Sequence, residues 1–194
     1  MEHFNRFGNM SPTQEYMHRP YLMDRAPFQI RGNLYFVGNL WCSSHLIDTG
    51  EGLILLDTPC AGSMPGLIHN IWKLGFNPED LKYIIVSHAH TDHYACVNAL
   101  VHLSGAKTFL SAVDAKDMRE HPERMEAMNR ELGYYNESFV PDVELQDGDL
   151  IQLGNTTIRC VLTPGHTIGS HCYLIEDLML SGDTLFFGSV GRTD

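Results

Sequence analysis

The sequence predicts an α+β protein in which β-sheets pack on each other and helices lie outside them. Two observations support this fold class. Short apolar runs separated by glycine and asparagine turns fill the first and last parts of the chain, whereas helical spacing alternates with strands in the middle. With 43% hydrophobic and 19% charged residues, the 194-residue chain can bury a sizeable core.

The first part of the chain divides into an arm and the start of the domain. Residues 1–27 lack helical or alternating periodicity, so we expect an extended arm, with the domain at residues 28–194. Between residues 28 and 58, turn signals separate three apolar runs. These runs predict a β-meander with strands at residues 33–38, 45–48 and 53–57.

The middle of the chain alternates between helix and strand. Leu67, Ile71 and Leu74 fall at helical spacing before Gly75, and the apolar run at residues 81–87 reads as a strand. Together with the preceding strand they predict a βαβ unit. Further along, we expect a helix at residues 94–103, a strand at 107–110 and one or two helices at 111–130.

After Gly133 the pattern returns to strands separated by glycine turns. The predicted strands are residues 143–145, 149–153, 156–162, 171–175 and 178–180.

Charge and cysteine content restrict the class of function. The chain has 13 basic and 24 acidic residues, a formal charge of -11, and no basic cluster, which disfavours nucleic-acid binding. The five cysteines form no C-x-x-C pair, so we expect reduced thiols rather than a disulfide framework. Because neither a signal peptide nor a membrane span is evident, the expected location is cytoplasmic, with no membrane partner.

One short segment carries the strongest functional signal. His88, His90, Asp92 and His93 lie within six residues, where a buried strand is predicted to end and a helix to begin. Alternate side chains of such a loop point to one side, and the turn into the helix redirects the others. Imidazole and carboxylate ligands suit zinc, and also iron or manganese.

Two further fragments have the same character. His166 lies in the sequence Thr163-Pro-Gly-His166, and Asp183 lies in Ser181-Gly-Asp183. Each follows a predicted strand, and each contains a glycine that permits a sharp turn. Either fragment alone is compatible with an ordinary turn.

Taken together, the three motifs resemble those of the metallo-β-lactamase superfamily, in the family's order, over residues 28–194. The resemblance implies a four-layer αβ/βα sandwich with metals at one edge of the sheets. It places the first metal on His88, His90 and His166 and the second on Asp92 and His93. Asp183 would bridge the two metals, and Asp57 would support the loop.

The implied chemistry is hydrolysis with one or two zinc ions as cofactor. A metal-bound hydroxide would attack the acyl carbon of a small-molecule thioester, ester, lactone or β-lactam, with Asp92 as a catalytic residue that orients the water. The tail at residues 182–194 is similar to the hydroxyacylglutathione-hydrolase-like branch, which favours a thioester. Residues 33–58 are similar to one group of true β-lactamases.

Three alternatives remain open from the sequence. The segment Gly191-Arg-Thr-Asp194 also resembles persulfide dioxygenases, in which residues matching His88, His166 and Asp183 hold one iron. A metal-free binding protein is hard to reconcile with six intact ligand residues. Nucleases of the superfamily are disfavoured by the charge, and a homo-oligomer is compatible with the sequence.

The sequence departs from the family pattern at its C-terminal end. The superfamily normally completes the second metal site with a histidine after the bridging aspartate, and none follows Asp183 here. We expect that a C-terminal segment is missing from the sequence, rather than that the protein is a naturally shortened variant. His171 is the nearest substitute, but its position in a predicted strand favours the core.

Overall fold

The larger sheet has seven strands in sequence order. The structure is a computed structural model, and it describes residues 19–124, 126–127 and 136–193. Neighbours are antiparallel from the first strand to the fourth and parallel from the fourth to the seventh. The strands are β1 (Phe28–Arg31), β2 (Leu34–Phe36), β3 (His45–Asp48), β4 (Leu53–Leu56), β5 (Leu81–Ile85), β6 (Lys107–Ser111) and β7 (Val143–Leu145).

The smaller sheet has four antiparallel strands in the order β11-β10-β9-β8. They are β8 (Leu150–Leu153), β9 (Thr156–Leu162), β10 (His171–Ile175) and β11 (Leu178–Leu180). A separate hairpin of β12 (Leu185–Phe186) and β13 (Ser189–Val190) follows. The predicted strands of this region are thus confirmed to within one residue at their ends.

The helices are α1 (Met64–Lys73), α2 (Thr91–Tyr94), α3 (Val97–Ser104) and α4 (Ala112–Glu120), with short 3-10 turns at Pro20–Met23, Ala61–Ser63 and Pro78–Asp80. Since β4 and β5 are parallel neighbours joined through α1, the predicted βαβ unit is confirmed. Helix α4 ends before His121, as expected for a residue that precedes proline.

Strand β4 shows how the layers pack. Leu53 and Leu55 join the core between the seven-stranded sheet and the helices, whereas Ile54 and Leu56 join the core between the two sheets. This alternation follows from the two-residue period of a strand. The fully buried Tyr173 ties the sheets together, because its hydroxyl donates to the backbone oxygen of Val86 at 2.9 Å.

These layers confirm the α+β fold class. Helices, large sheet and small sheet are three layers of the expected four-layer sandwich. The outer face of the small sheet carries the exposed side chains of Leu150, Arg159 and Met179, and no helix in the described part of the chain covers it.

The helix predicted at residues 94–103 is wrong in its boundaries, because the segment forms two helices with a break at Ala95 and Cys96. The cause is Thr58, which takes over the backbone groups that a continuous helix would use. Its N–H donates to the His93 carbonyl at 2.9 Å, and its hydroxyl accepts from the Cys96 N–H at 3.1 Å. Gly105, with φ of 70°, then ends α3 in the left-handed conformation.

The predicted arm at residues 1–27 falls mostly outside the described residues, which begin at residue 19. Its last part packs on the domain, since Met23 is buried and its carbonyl accepts from the Leu40 N–H at 2.9 Å. All five cysteines are free. Among the described residues, no helix combines the length and the apolar character that a membrane span requires.

Candidate metal centre

The predicted ligands meet where loops from both sheets converge. His88, His90 and His93 follow β5 of the large sheet, and His166 lies in the connection between β9 and β10 of the small sheet. Asp183 follows β11. The centre therefore depends on how the two sheets pack, as well as on the local motif.

Three imidazoles form the tightest group. Nδ1 of His90 lies 3.1 Å from Nε2 of His88 and 2.9 Å from Nε2 of His166. The three nitrogen atoms lie within 4.8 Å of one another. This is the set that the sequence assigns to the first metal.

A second group consists of His88, His93 and Asp183. Oδ1 of Asp183 lies 3.3 Å from Nε2 of His93, and Oδ2 lies 3.4 Å from Nε2 of His166. One carboxylate thus contacts an imidazole of each predicted metal site. This geometry is what a bridging role for Asp183 requires.

Hydrogen bonds on the far side of each ring orient three of the imidazoles. Nδ1 of His88 lies 2.9 Å from Ser87 Oγ, Nδ1 of His93 lies 3.0 Å from Asp57 Oδ2, and Nδ1 of His166 lies 3.0 Å from the Arg192 backbone oxygen. When Nδ1 carries the proton in each of these bonds, Nε2 presents a lone pair to the centre.

Those lone pairs provide a test of whether the residues fit a metal ion. Nitrogen lone pairs at about 3 Å repel one another unless a proton or a cation lies between them. His88, His90 and His166 point three nitrogens at one locus, and the Asp183 carboxylate adds negative charge beside it. The donor set fits a divalent transition metal with a preference for nitrogen and oxygen ligands.

Asp57 supports this arrangement from the end of β4. Its Oδ1 accepts from the Ser87 N–H, and its Oδ2 accepts from the Ser87 hydroxyl, both at 2.7 Å. Together with the bond to His93, the buried carboxylate accepts from three donors. Its backbone has a φ of 61°, which few residue types other than glycine, asparagine and aspartate tolerate.

Electrostatics distinguish the two central histidines. Burial, together with the charges of His93, His90 and His166, lowers the pKa of His88 well below its usual value. Burial also opposes protonation of His93, but its interactions with Cys42, Asp57 and Asp183 outweigh that effect and raise the pKa of His93. His88 is therefore neutral near pH 7, which is the form that binds a metal.

Asp92 occupies a different position from the other five predicted ligands. Among the described residues it belongs to neither donor group, and its Oδ2 accepts a hydrogen bond from the Trp41 indole N–H at 2.7 Å. No sequence pattern indicates this contact, because Trp41 lies 51 positions away in an irregular loop. The contact between the Arg192 carbonyl and His166 is not predictable from the sequence either, because every residue has a backbone carbonyl and no motif marks the one that accepts a hydrogen bond.

The Trp41 contact gives a testable expectation. Zinc binding near Asp92 should alter the field around the Trp41 indole, whereas Trp72, which is 62% exposed on α1, should not respond. We therefore expect a zinc-dependent change in tryptophan emission that survives Trp72→Phe and disappears in Trp41→Phe. If Trp72→Phe, in which Trp41 is the remaining tryptophan, showed no zinc-dependent change, the Trp41 loop would not be coupled to the metal centre.

His171 lies in the core, as the sequence favoured. It is 1% exposed, and its Nδ1 is 2.8 Å from the Gly169 carbonyl oxygen. Within the described residues it is part of neither donor group.

Comparison with known proteins identifies a family and several relatives. Residues 38–194 match the family described as "Metallo-beta-lactamase superfamily". The chain is 31% identical over 112 residues to the "Probable polyketide biosynthesis zinc-dependent hydrolase PksB" of Bacillus subtilis, covering 58% of this chain and 42% of that protein. It is 28% identical over 148 residues to a hydroxyacylglutathione hydrolase of Shewanella halifaxensis, covering 76% and 45% of the two chains.

Solved structures show the same relationship. The metallo-beta-lactamase GOB-18 from Elizabethkingia meningoseptica superposes with a TM-score of 0.73 and 33% identity, covering 88% of this chain and 62% of the other. The class B3 di-zinc metallo-beta-lactamase LRA-12 from an Alaskan soil metagenome gives a TM-score of 0.72 and 32% identity, covering 82% and 61%. The chain thus spans less than half of those two curated relatives and about three fifths of the two structures.

Proposed function

Because the chain belongs to the metallo-beta-lactamase superfamily, we propose that it is a zinc-dependent hydrolase that cleaves an acyl bond with activated water. The observation that carries the proposal is the convergence of four imidazoles and one carboxylate in two overlapping groups. The zinc-dependent hydrolase and di-zinc lactamase among its relatives support zinc. Iron and manganese gain no such support.

The residues have distinct tasks in this proposal. His88, His90 and His166 would hold the first zinc, Asp92 and His93 would hold the second, and Asp183 would be shared between the two sites. Bound zinc would supply an activated water near neutral pH, because it lowers the pKa of that water to about 7.

The remaining groups fix the ligands and the water. Ser87, Asp57 and the Arg192 carbonyl lie against the outer ring nitrogens, so each imidazole keeps one tautomer and one orientation. The Trp41 indole N–H donates to Oδ2 of Asp92 and would fix the orientation of the carboxylate that is proposed to hold the second zinc and to orient the attacking water. Neither a serine nor a cysteine nucleophile is needed.

The proposed substrate is a small molecule with a thioester, ester, lactone or β-lactam group. A thioester is favoured by the likeness of residues 182–194 to the hydroxyacylglutathione-hydrolase-like branch. The absence of a nucleic-acid partner remains a prediction from the charge of -11. A cytoplasmic location and a homo-oligomer also remain predictions, and the five free cysteines support the former.

The iron dioxygenase alternative uses only His88, His166 and Asp183. Two of these three residues are in contact, since Oδ2 of Asp183 lies 3.4 Å from Nε2 of His166. The position of His90 favours hydrolysis instead, because its Nδ1 lies between the other two imidazoles and belongs to the same donor set.

Metal analysis and a substrate panel test the proposal together. Protein purified without added metal should contain zinc, and it should hydrolyse at least one of a thioester, an aryl ester, a lactone and a β-lactam. Asp183→Ala should abolish this turnover without loss of solubility. The matched control Asp177→Ala, a carboxylate whose side chain is 76% exposed, should leave turnover unchanged.

The possible outcomes separate the candidate functions. One iron per chain with no hydrolysis would favour the dioxygenase. Protein that binds no metal under any loading condition would refute both functions, and full turnover in Asp183→Ala would refute the site assignment.

A further inference from the structure

Asp114 links the two loops that carry the first metal site. It lies in the first turn of α4 and is 1% exposed. Its Oδ2 accepts from the Ala89 N–H and from the Thr167 hydroxyl, both at 2.8 Å, and its Oδ1 accepts from the Gly169 N–H at 2.8 Å. None of the sequence motifs includes this residue.

Two of the three groups that donate to Asp114 belong to residues adjacent in sequence to predicted metal ligands. Ala89 lies between His88 and His90, and Thr167 directly follows His166. The first loop extends from the large sheet and the second from the small sheet. One carboxylate therefore holds together the two segments that must present imidazoles to the same ion.

The carboxylate itself is firmly placed. Ser111 caps α4 by accepting from the Asp114 N–H at 3.1 Å, so the side chain starts from a fixed helix terminus. The second loop approaches so closely that a Cβ on Gly169 would lie 2.5 Å from Asp114 Oδ1 and 2.3 Å from Ser111 Oγ. Only glycine allows this approach.

We propose that Asp114 is a positioning residue that sets the separation of His90 and His166 and thereby the affinity and geometry of the first metal site. The inference rests on the proposed metal-dependent function. It follows from the contacts, because loss of the carboxylate would leave three donors on the two loops without their acceptor. The loops would then be free to separate before the ion binds.

The test compares Asp114→Asn with Asp142→Asn in the full chain. Asp142 is a suitable control, because its carboxylate also accepts a backbone N–H and a hydroxyl at 2.8 Å, both from Thr108, and its hydrogen bonds to described residues do not involve the metal loops. Zinc affinity is measured by chelator competition, site geometry by the visible absorption of the Co²⁺ form, and stability by urea unfolding. Both substitutions are expected to reduce stability.

Only Asp114→Asn should weaken zinc binding, by about 10- to 100-fold, and change the Co²⁺ spectrum. If Asp114→Asn fails to fold, Thr167→Val provides a second test at constant shape, because it removes one of the three bonds to Asp114 together with the contact to Ser170 Oγ. It should weaken zinc binding by about twofold to tenfold.

Two results would overturn the inference. If Asp114→Asn had the same zinc affinity and Co²⁺ spectrum as the unsubstituted protein, Asp114 would have only a structural role. The same conclusion would follow if Thr167→Val had unchanged zinc affinity. In both cases the proposed hydrolase function would stand. If the unsubstituted protein bound no zinc, the proposed function would fail first, and the inference with it.

Discussion

The substitution His88→Ala should lower zinc affinity by about 100-fold or more and abolish turnover at ordinary zinc concentrations. His88 is present in both donor groups that the described residues form, so its loss removes a potential ligand from each group. Zinc sites of four ligands bind with about 10–16 kcal/mol, which corresponds to about 3 kcal/mol, or about 100-fold, for each ligand. Chelator competition with apo protein measures the affinity, and the substrate panel measures turnover.

The control for this prediction is His102→Ala, because His102 is an exposed histidine on α3. Its substitution should change neither zinc affinity nor turnover. If His88→Ala retained the zinc content and rate of the control, the metal centre would have to lie elsewhere.

The second large effect is expected at Asp57, where a substitution should impair both stability and metal binding. Asp57→Ala leaves the Ser87 N–H, the Ser87 hydroxyl and the His93 Nδ1–H buried without their acceptor. At about 1–3 kcal/mol for each orphaned group, the free energy of unfolding should fall by roughly 3–9 kcal/mol. Such a loss is a large part of the 5–15 kcal/mol typical of a domain.

Asp57→Asn separates the backbone effect from the hydrogen bonds. Asparagine tolerates the φ of 61° but offers one acceptor oxygen where aspartate offers two. Its stability should therefore lie between that of the native protein and that of Asp57→Ala, with zinc affinity reduced about 10- to 100-fold.

Urea unfolding measures the stabilities, and Asp177→Ala provides an exposed-carboxylate control that should stay within about 0.5 kcal/mol of the native value. A loss below about 1 kcal/mol in Asp57→Ala would mean that other groups satisfy the three donors.

The sequence predicted the elements whose signals are local. The strand-like runs at residues 156–162 and 171–175, which follow turn signals in the sequence, marked strands that the structure reproduces to the residue. The spacing of His88, His90 and His93 marked a ligand cluster because three metal-binding side chains rarely fall so close by chance. Local patterns thus sufficed for the fold class and for the residues that converge.

Contacts between distant segments were not predictable in the same way. The break between α2 and α3 depends on Thr58, about 35 residues earlier, whose hydroxyl and N–H compete for backbone groups of the helix. The Asp114 bridge joins segments from two sheets, and its partners are mainly backbone N–H groups, which every sequence contains. Such interactions become visible only when the chain is folded.

The position of β4 and β5 has a consequence for how this fold can diversify. Strand β4 is buried along its whole length, and Ile84 and Ile85 at the end of β5 are buried too, so the ligands follow well-packed segments of the large sheet. The exposed Leu40 and the adjacent Trp41, which contacts Asp92, lie in a loop outside these cores. Mutations there can reshape the entrance to the centre while the ligand frame persists, so new specificities are accessible in small steps.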